Sequence, residues 1–321
     1  EMQRVYGEPV KEELIAQRIR EIKDQGVVTA ASLTQQRVRK HFDTVIEAGL
    51  DILVIQGTVI SAEHVSEQSE PLNLKEFVKE ADIPVVVGGC ASYATGLHLM
   101  RTGAVGVLVG VGPGAACTTR GVLGIGVPQA TAIADVQGAR SQHMLETGEY
   151  CNVIADGGMR NGGDIAKAFA CGADAVMIGS PLARAYEAPG RGYHWGMATF
   201  HPDLPRGARV KTPQNGSLEQ IVNGPAHENS GTLNLMGSLR TSMATCGYED
   251  IPSFHRAEVI VAPALQTEGK QLQREQEIGM GASAAAAAPS RDGIVGNGNG
   301  HGTISAEASS PSNEPEPDAV E

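Results

Sequence analysis

Three short stretches of this chain have the residue types and spacing to do chemistry. The first presents Cys117 at the end of Gly110-Val111-Gly112-Pro113-Gly114-Ala115-Ala116, directly after the apolar run Val105 to Val109 and before Thr118-Thr119-Arg120. A cysteine in such a loop becomes a nucleophile where nearby cations and backbone N–H groups favour its thiolate, and Arg120 and the loop amides are expected to do that. Alternate glycines permit close approach of backbone to a ligand, and a backbone turned in this way can aim several carbonyl or N–H groups at one ion. The second stretch is Asp156-Gly157-Gly158, whose carboxylate can accept from sugar hydroxyls while its glycines admit a phosphate. The third is Gly179-Ser180, expected to open a helix over 180–187 and to offer N–H groups and a helix dipole to an anion.

A nucleophile, a sugar clamp and a phosphate cup together describe a nucleotide site. His194, His201, Arg206 and Arg209 lie in an aperiodic stretch where a cation could close over the ligand or activate water. Duller readings exist for each feature: a turn-forming Asp-Gly-Gly, an ordinary Gly-Ser helix cap, solvated loop residues. Cys151, Cys171 and Cys246 are expected to be core fillers.

These stretches need a scaffold, and the hydrophobic pattern supplies one. Leu14, Ile15, Ile19 and Ile22 recur at helical spacing, and Val27 to Ala31 then reads as a buried strand. A helix over 35–48, a strand over 51–56, a helix over 73–81, a strand over 83–87, a helix over 92–102 and a strand over 104–109 follow. After the Cys117 loop come a helix over 128–147 begun by Pro128, a strand over 151–155 and a strand over 173–178. Strands rich in Val and Ile that alternate with helices indicate a parallel sheet buried on both faces, in a doubly wound sheet or a barrel. The Cys117 loop, Asp156 and Gly179-Ser180 each follow such a strand, where α/β folds keep their chemistry. The stretch 186–231 shows no periodicity and is expected to be a functional lid, and 232–247 returns to a helical pattern.

Composition sets outer limits. The chain has 321 residues, 41% of them apolar, with a formal charge of −12, which argues against sequence-independent nucleic-acid binding because phosphates require clustered Lys and Arg. Five cysteines form no CxxC pair and suit a reducing compartment, so cytoplasm is the expected location. No apolar run approaches the roughly 20 residues that span a bilayer, so no membrane partner is expected. The chain begins with Glu1, and we expect an N-terminal portion to be missing. Residues 1–278 are expected to form one catalytic domain, and 279–321, with almost no large apolar residues, a disordered acidic tail.

At this level of detail the sequence resembles the IMP dehydrogenase/GMP reductase family over about residues 27–250. The resemblance is carried by the glycine–cysteine loop at 110–120, Gly124 to Gln129, Ile154 to Gly158, Gly172 to Ala183 and Tyr193 to Thr199, in that order. It implies a (β/α)8 TIM barrel in a homotetramer or octamer, here α/β and incomplete, with about six of eight βα units, the third to the eighth. It also implies that Cys117 attacks C2 of IMP, that hydride passes to NAD⁺, and that the resulting thioimidate is hydrolysed to XMP, with Thr119 as a hydroxyl helper. By the same resemblance Asp156 holds the ribose, and Gly157, Gly158, Gly179, Ser180 and Tyr193 surround the phosphate. Gly196 and Met197 line the base, the carbonyls of Gly112, Gly114 and Cys117 ligate K⁺, and Gln56, Gly57, Gly110 and Gly112 meet the cofactor.

Departures from the family pattern are Gln56-Gly57-Thr58 for an Asp-Ser-Ser, Ala115 for a phosphate-contacting serine, and Gly88-Gly89-Cys90 for a Gly-Gly-Asn. The flap's Arg-Tyr pair is not evident, and Arg206 or Arg209 is expected to stand in for its arginine. Ile55 to Thr58, Ser61 to His64, Leu72 to Lys75, His98 to Ala104 and His201 to Gly207 point to the shorter branch without CBS domains. The expected activity is guanine-nucleotide synthesis from IMP. The alternatives are NADPH-dependent GMP reduction and a purine-nucleotide-binding paralogue without turnover.

Overall fold

Most of the apolar runs become strands because they are short, rich in Val and Ile, and closed by glycine or a polar turn. In a computed structural model, residues 1, 4, 7–60, 72–196, 209–261, 272 and 276 are described. Helix α1 (Glu12–Lys23) leads into a repeating unit: β1 (Ala30–Leu33), α2 (Val38–Glu47), β2 (Ile52–Gln56), α3 (Leu74–Glu80), β3 (Val85–Cys90), α4 (Tyr93–Met100) and β4 (Gly106–Val109). It continues through α5 (Thr119–Leu123), α6 (Gln129–Thr147), β5 (Asn152–Asp156), α7 (Gly162–Ala170), β6 (Ala175–Met177) and α8 (Ser180–Ala183). The six strands pair in sequence order, every pair parallel, as an incomplete (β/α)8 barrel with its helices outside.

Register sets where the chemistry sits. Gln56 lies beside Gly88, Cys90 beside Val109, Val109 beside Ala155 and Asp156 beside Met177, so the strands end on one rim. Every residue of β3 and β4 is buried, as central strands covered on both faces require. At the opposite ends side chains lock the strand starts: the Arg140 guanidinium reaches Asp174 at 2.6 Å, and that carboxylate accepts from the Val153 N–H at 2.7 Å.

Helices start where the sequence offers caps. The Ser92 hydroxyl caps α4 in a reciprocal box with Thr95, and the Asn161 side chain accepts from the Asp164 N–H to begin α7. Helix α7 packs against α10 (Leu235–Thr245) so closely that a Cβ on Gly162 would lie 2.1 Å from Ser238 Cβ.

Four expectations need correction. The first strand begins at Ala30, where pairing with Ile52 starts, and Val27 and Val28 are 53% and 70% exposed. Strand β3 runs on through Gly88-Gly89 to Cys90. The stretch 186–231 is not merely aperiodic: it holds an antiparallel pair, β7 (Tyr193–Trp195) and β8 (Arg209–Lys211), and α9 (Leu218–Val222), begun by a capping box of Ser217 and Gln220. A strand pair of three residues each and a one-turn helix are too short to leave a periodic signal. Cys246 is exposed as the C-cap of α10, and only Cys151 of the three presumed fillers is fully buried, with Cys171 half-buried. Helix α11 (Ile251–Phe254) follows, capped by Asp250. Residues 61–64, Met197, His201, Arg206 and the 279–321 tail lie outside the described residues. Among the described residues no helix is long and apolar enough to cross a membrane.

Candidate active site

The loop that follows β4 is turned by Gly110 at φ 142° and Gly112 at φ 68°, regions that side chains rarely adopt. Its end is a tight turn in which the Cys117 N–H donates to the Gly114 carbonyl at 3.0 Å. The half-buried Cys117 thiol then donates to the Thr119 hydroxyl at 3.2 Å, and Thr119 is itself buried at the start of α5. Arg120 does not take the role expected for it. Its Nε donates to the Val111 carbonyl at 3.0 Å and its Nη2 to the Val127 carbonyl at 2.6 Å, so the guanidinium braces the loop. Gly126 makes room for it, since a Cβ there would lie 2.7 Å from the Arg120 side chain.

The Asp156 segment packs directly on this loop. Gly158, at φ 83°, leaves 2.9 Å between the place of its absent Cβ and Pro113 Cβ, and Gly157 donates to the Met177 carbonyl at 2.9 Å. The carboxylate itself is mostly buried, and burial pushes its pKa up, opposed by a hydrogen bond from Gln56 Nε2 to Oδ2 at 3.2 Å. Gln56, expected to meet a cofactor, also comes within 4.0 Å of Met177 Sδ. The strand after α8 reaches the loop from the other side: a Cβ on Gly196 would stand 3.0 Å from the Ala116 carbonyl.

The expected phosphate cup is only partly as foreseen. Helix α8 has four residues, far shorter than 180–187, so it brings little dipole to an anion. Gly179 is exposed, and an added Cβ there would touch nothing within 4 Å, so packing does not explain the glycine. The Ser180 hydroxyl is 3.0 Å from His194 Nε2, and burial lowers the pKa of that imidazole. Tyr193, on the same strand, carries the Arg209 guanidinium 4.5 Å above its ring. Gly110 is buried against the Asp156 carbonyl, while Gly57, Gly112 and Gly114 lie half-buried at the rim.

Two glutamines escaped sequence reasoning. Gln129 Nε2 donates to the Val109 carbonyl at 2.6 Å, holding the strand end where the cysteine loop begins, and its buried Oε1 has no partner among the described residues. Gln214 Nε2 donates to the Ala185 carbonyl at 3.0 Å and ties the segment after β8 to α8. Gln129 closes the Gly124 to Gln129 motif that carries the resemblance, but its place after the proline that opens α6 speaks only of a helix start, and nothing in the sequence marks Gln214.

Cys90 and Cys151 are different in kind from Cys117: burial pushes both thiols up to about 12, and each donates to a backbone carbonyl, so neither is a nucleophile.

Comparisons with known proteins identify the family. A family model described as IMP dehydrogenase / GMP reductase domain matches residues 8–271. A protein named uncharacterized oxidoreductase in Mycolicibacterium smegmatis is 48% identical over 264 residues, which is 81% of this chain and 70% of that protein. Inosine-5'-monophosphate dehydrogenase of Methanocaldococcus jannaschii is 34% identical over 259 residues, 70% of this chain and 49% of that enzyme. The crystal structure of an IMP dehydrogenase/GMP reductase-like protein from Corynebacterium glutamicum superposes with a TM-score of 0.74 at 47% identity, covering 81% of this chain and 68% of that one.

Proposed function

Since the chain belongs to the IMP dehydrogenase/GMP reductase family, we propose that it is an oxidoreductase converting IMP to XMP with NAD⁺, through a covalent adduct on Cys117. The observation that carries this reading is the convergence of three strand ends: the Cys117 loop, the Asp156 segment packed on Pro113, and Gly196 against the Ala116 carbonyl. The Asp156 carboxylate accepts from the ribose hydroxyls once Gln56 yields its place. Gly157, Gly158, Gly179, Ser180 and Tyr193 surround the phosphate, and Gly196 and Met197 flank the base.

With the purine so placed, the Cys117 thiolate adds to C2 and forms a C–S bond while Thr119 holds the sulfur in position. The hydrogen on C2 departs with its electron pair. NAD⁺ held at Gln56, Gly57 and Gly112 would supply the acceptor for that hydride. Water then adds to C2 of the thioimidate, the C–S bond breaks, the sulfur regains a proton, and C2 becomes the carbonyl of XMP with net release of one proton. The Thr119 hydroxyl, beside the sulfur, is placed to steer that water.

The residues fit both auxiliaries. Gln56 offers an amide at the end of β2, and Gly57 and Gly112 offer half-buried backbone without a Cβ at the same rim, which suits a flat ring with polar edges, with Gly110 buried below the loop. Among the described residues no group of three His, Cys, Asp or Glu could hold a metal ion. A monovalent cation such as K⁺ suits carbonyl oxygens instead, and Gly112, Gly114 and Cys117 supply them on one turn. We further assign the chain a homotetramer or octamer in a reducing cytoplasm.

The test is turnover by the full 321-residue chain. NADH absorbance should grow with IMP and NAD⁺, with no NADPH consumption in GMP and NADPH. The reverse pattern makes the protein a GMP reductase. Thermal stabilisation by purine nucleotide with no mass adduct on Cys117 makes it a binding protein.

A further inference from the structure

Among the described residues no Lys or Arg side chain is hydrogen-bonded to the Ser180 hydroxyl, whose partner is His194. The four-residue helix α8 cannot supply a useful dipole, and the facing loop presents Ala115 and Ala116, which carry no side-chain donor. A phosphomonoester near Ser180 carries a charge of about −1.5 to −2 at neutral pH, and holding it beside an apolar wall needs a compensating cation.

One residue is built to provide it. His194 is fixed on β7 by pairing with Val210, and its Nε2 lies 3.0 Å from the Ser180 hydroxyl. Both groups are partly buried. His194 also lines a largely apolar cavity of about 450 Å³ with Leu182, Ala183, Tyr193 and Trp195. Such surroundings penalise a lone imidazolium and strengthen its attraction to an anion. Burial lowers the His194 pKa and so favours the neutral ring in the free protein.

We propose that His194 is the charge partner of the phosphate subsite, neutral in the free protein and protonated when a phosphomonoester dianion binds beside Ser180. In the free state the Ser180 O–H donates to unprotonated Nε2. Once a proton from solvent occupies Nε2, the hydrogen bond reverses, and the hydroxyl is released to donate to a phosphate oxygen. The proposal rests on the phosphate reading of Ser180 given above. It adds a recognition rule to it: the site selects nucleotides over nucleosides by charge, through a proton taken up on binding.

Other charged groups surround His194. Glu187 lines the same cavity, and Lys211 and Arg209 lie on the paired strand, where Arg209 stacks on Tyr193. Arg184 at the end of α8 is a further cation, and burial lowers its pKa. Among the described residues none of these four is hydrogen-bonded to His194.

Calorimetry of the full chain with IMP, inosine and inorganic phosphate, in buffers of different ionisation enthalpy between pH 7 and 8.5, tests the idea alongside NMR titration of the His194 ring. Phosphate is itself a dianion in this window, its second ionisation lying near pH 6. The expected result is uptake of close to one proton per IMP, affinity falling by up to about tenfold per pH unit, and no uptake with inosine. In H194Q the uptake should vanish and the IMP affinity at pH 7 fall at least tenfold. IMP binding without proton uptake, with H194Q unchanged, overturns the proposal and leaves the enzyme reading intact. No IMP binding, with inorganic phosphate still shifting the His194 titration upward, sinks the enzyme reading and supports the proposal. Failure of both ligands to move His194 overturns it.

Discussion

Gln56 donates from Nε2 to Asp156 Oδ2 across 3.2 Å, joining the end of β2 to the end of β5 over an interval of two intervening strands. The carboxylate proposed to bind the sugar is therefore already engaged in the free protein, and a ribose would have to displace an amide to reach it. Gln56 is also what opposes the burial that favours the protonated acid.

The pH dependence follows from that raised pKa. A carboxyl that holds its proton more tightly folded than unfolded disfavours the folded state once pH rises past its unfolded pKa, usually about 3.9. The penalty is absent in acid, grows as pH climbs through the folded value and is complete above it. D156N removes it, so the variant should melt higher than the parent at pH 7 and lose that advantage below about pH 4. Calorimetric melts across this range check the sign, and equal melting temperatures at pH 7 would count against it. The same variant should lose nucleotide affinity.

Cys117 separates binding from chemistry. C117A should lower kcat at least about 10³-fold, below detection in most assays, because no other thiol is placed to attack. IMP affinity should stay within about threefold, since the proposed ribose and phosphate contacts lie on other elements. Rapid-quench mass spectrometry should find the nucleotide adduct on the parent and none on the variant.

Arg120 is a brace whose geometry matters more than its charge. R120K retains the cation but cannot span the Val111 and Val127 carbonyls as a fork does. A stability loss of about 1 kcal/mol is expected from two partly exposed hydrogen bonds, with a larger proportional fall in kcat than in nucleotide affinity. Denaturant melts and steady-state kinetics read the two effects separately.

The contact between α7 and α10 tests the packing away from the site. G162A places a methyl 2.1 Å from Ser238 Cβ and should cost about 1–3 kcal/mol. S238G should relieve most of it in the double variant, a coupling that a double-mutant cycle by urea denaturation measures.

Much of this was legible in the sequence. The parallel strands announced themselves because a sheet covered on both faces needs unbroken Val and Ile, and β4 ends where the glycines begin. The start of β1 was misread because Val27 and Val28 extend the apolar run while ladder pairing begins only at Ala30. Segment 186–231 hid its order because hairpins and one-turn helices are set by caps and pairing partners, not by periodicity. The Gln56–Asp156 and Ser180–His194 contacts could not be read at all: the first joins the ends of two strands that are not neighbours in the sheet, and the second joins the start of α8 to β7, so tertiary structure alone brings each pair together. Arg120 was misjudged because a charge beside a cysteine in sequence need not face it in space.

The brace of Arg120 has a thermodynamic consequence. By joining Val111 to Val127 it closes the intervening residues into a ring, with Cys117 on that ring. A ring has fewer shapes available than a chain free at both ends. Less disorder then remains to be lost when substrate arrives, so binding energy from the phosphate and ribose goes toward affinity rather than toward ordering the nucleophile. The loop meets its substrate preorganised.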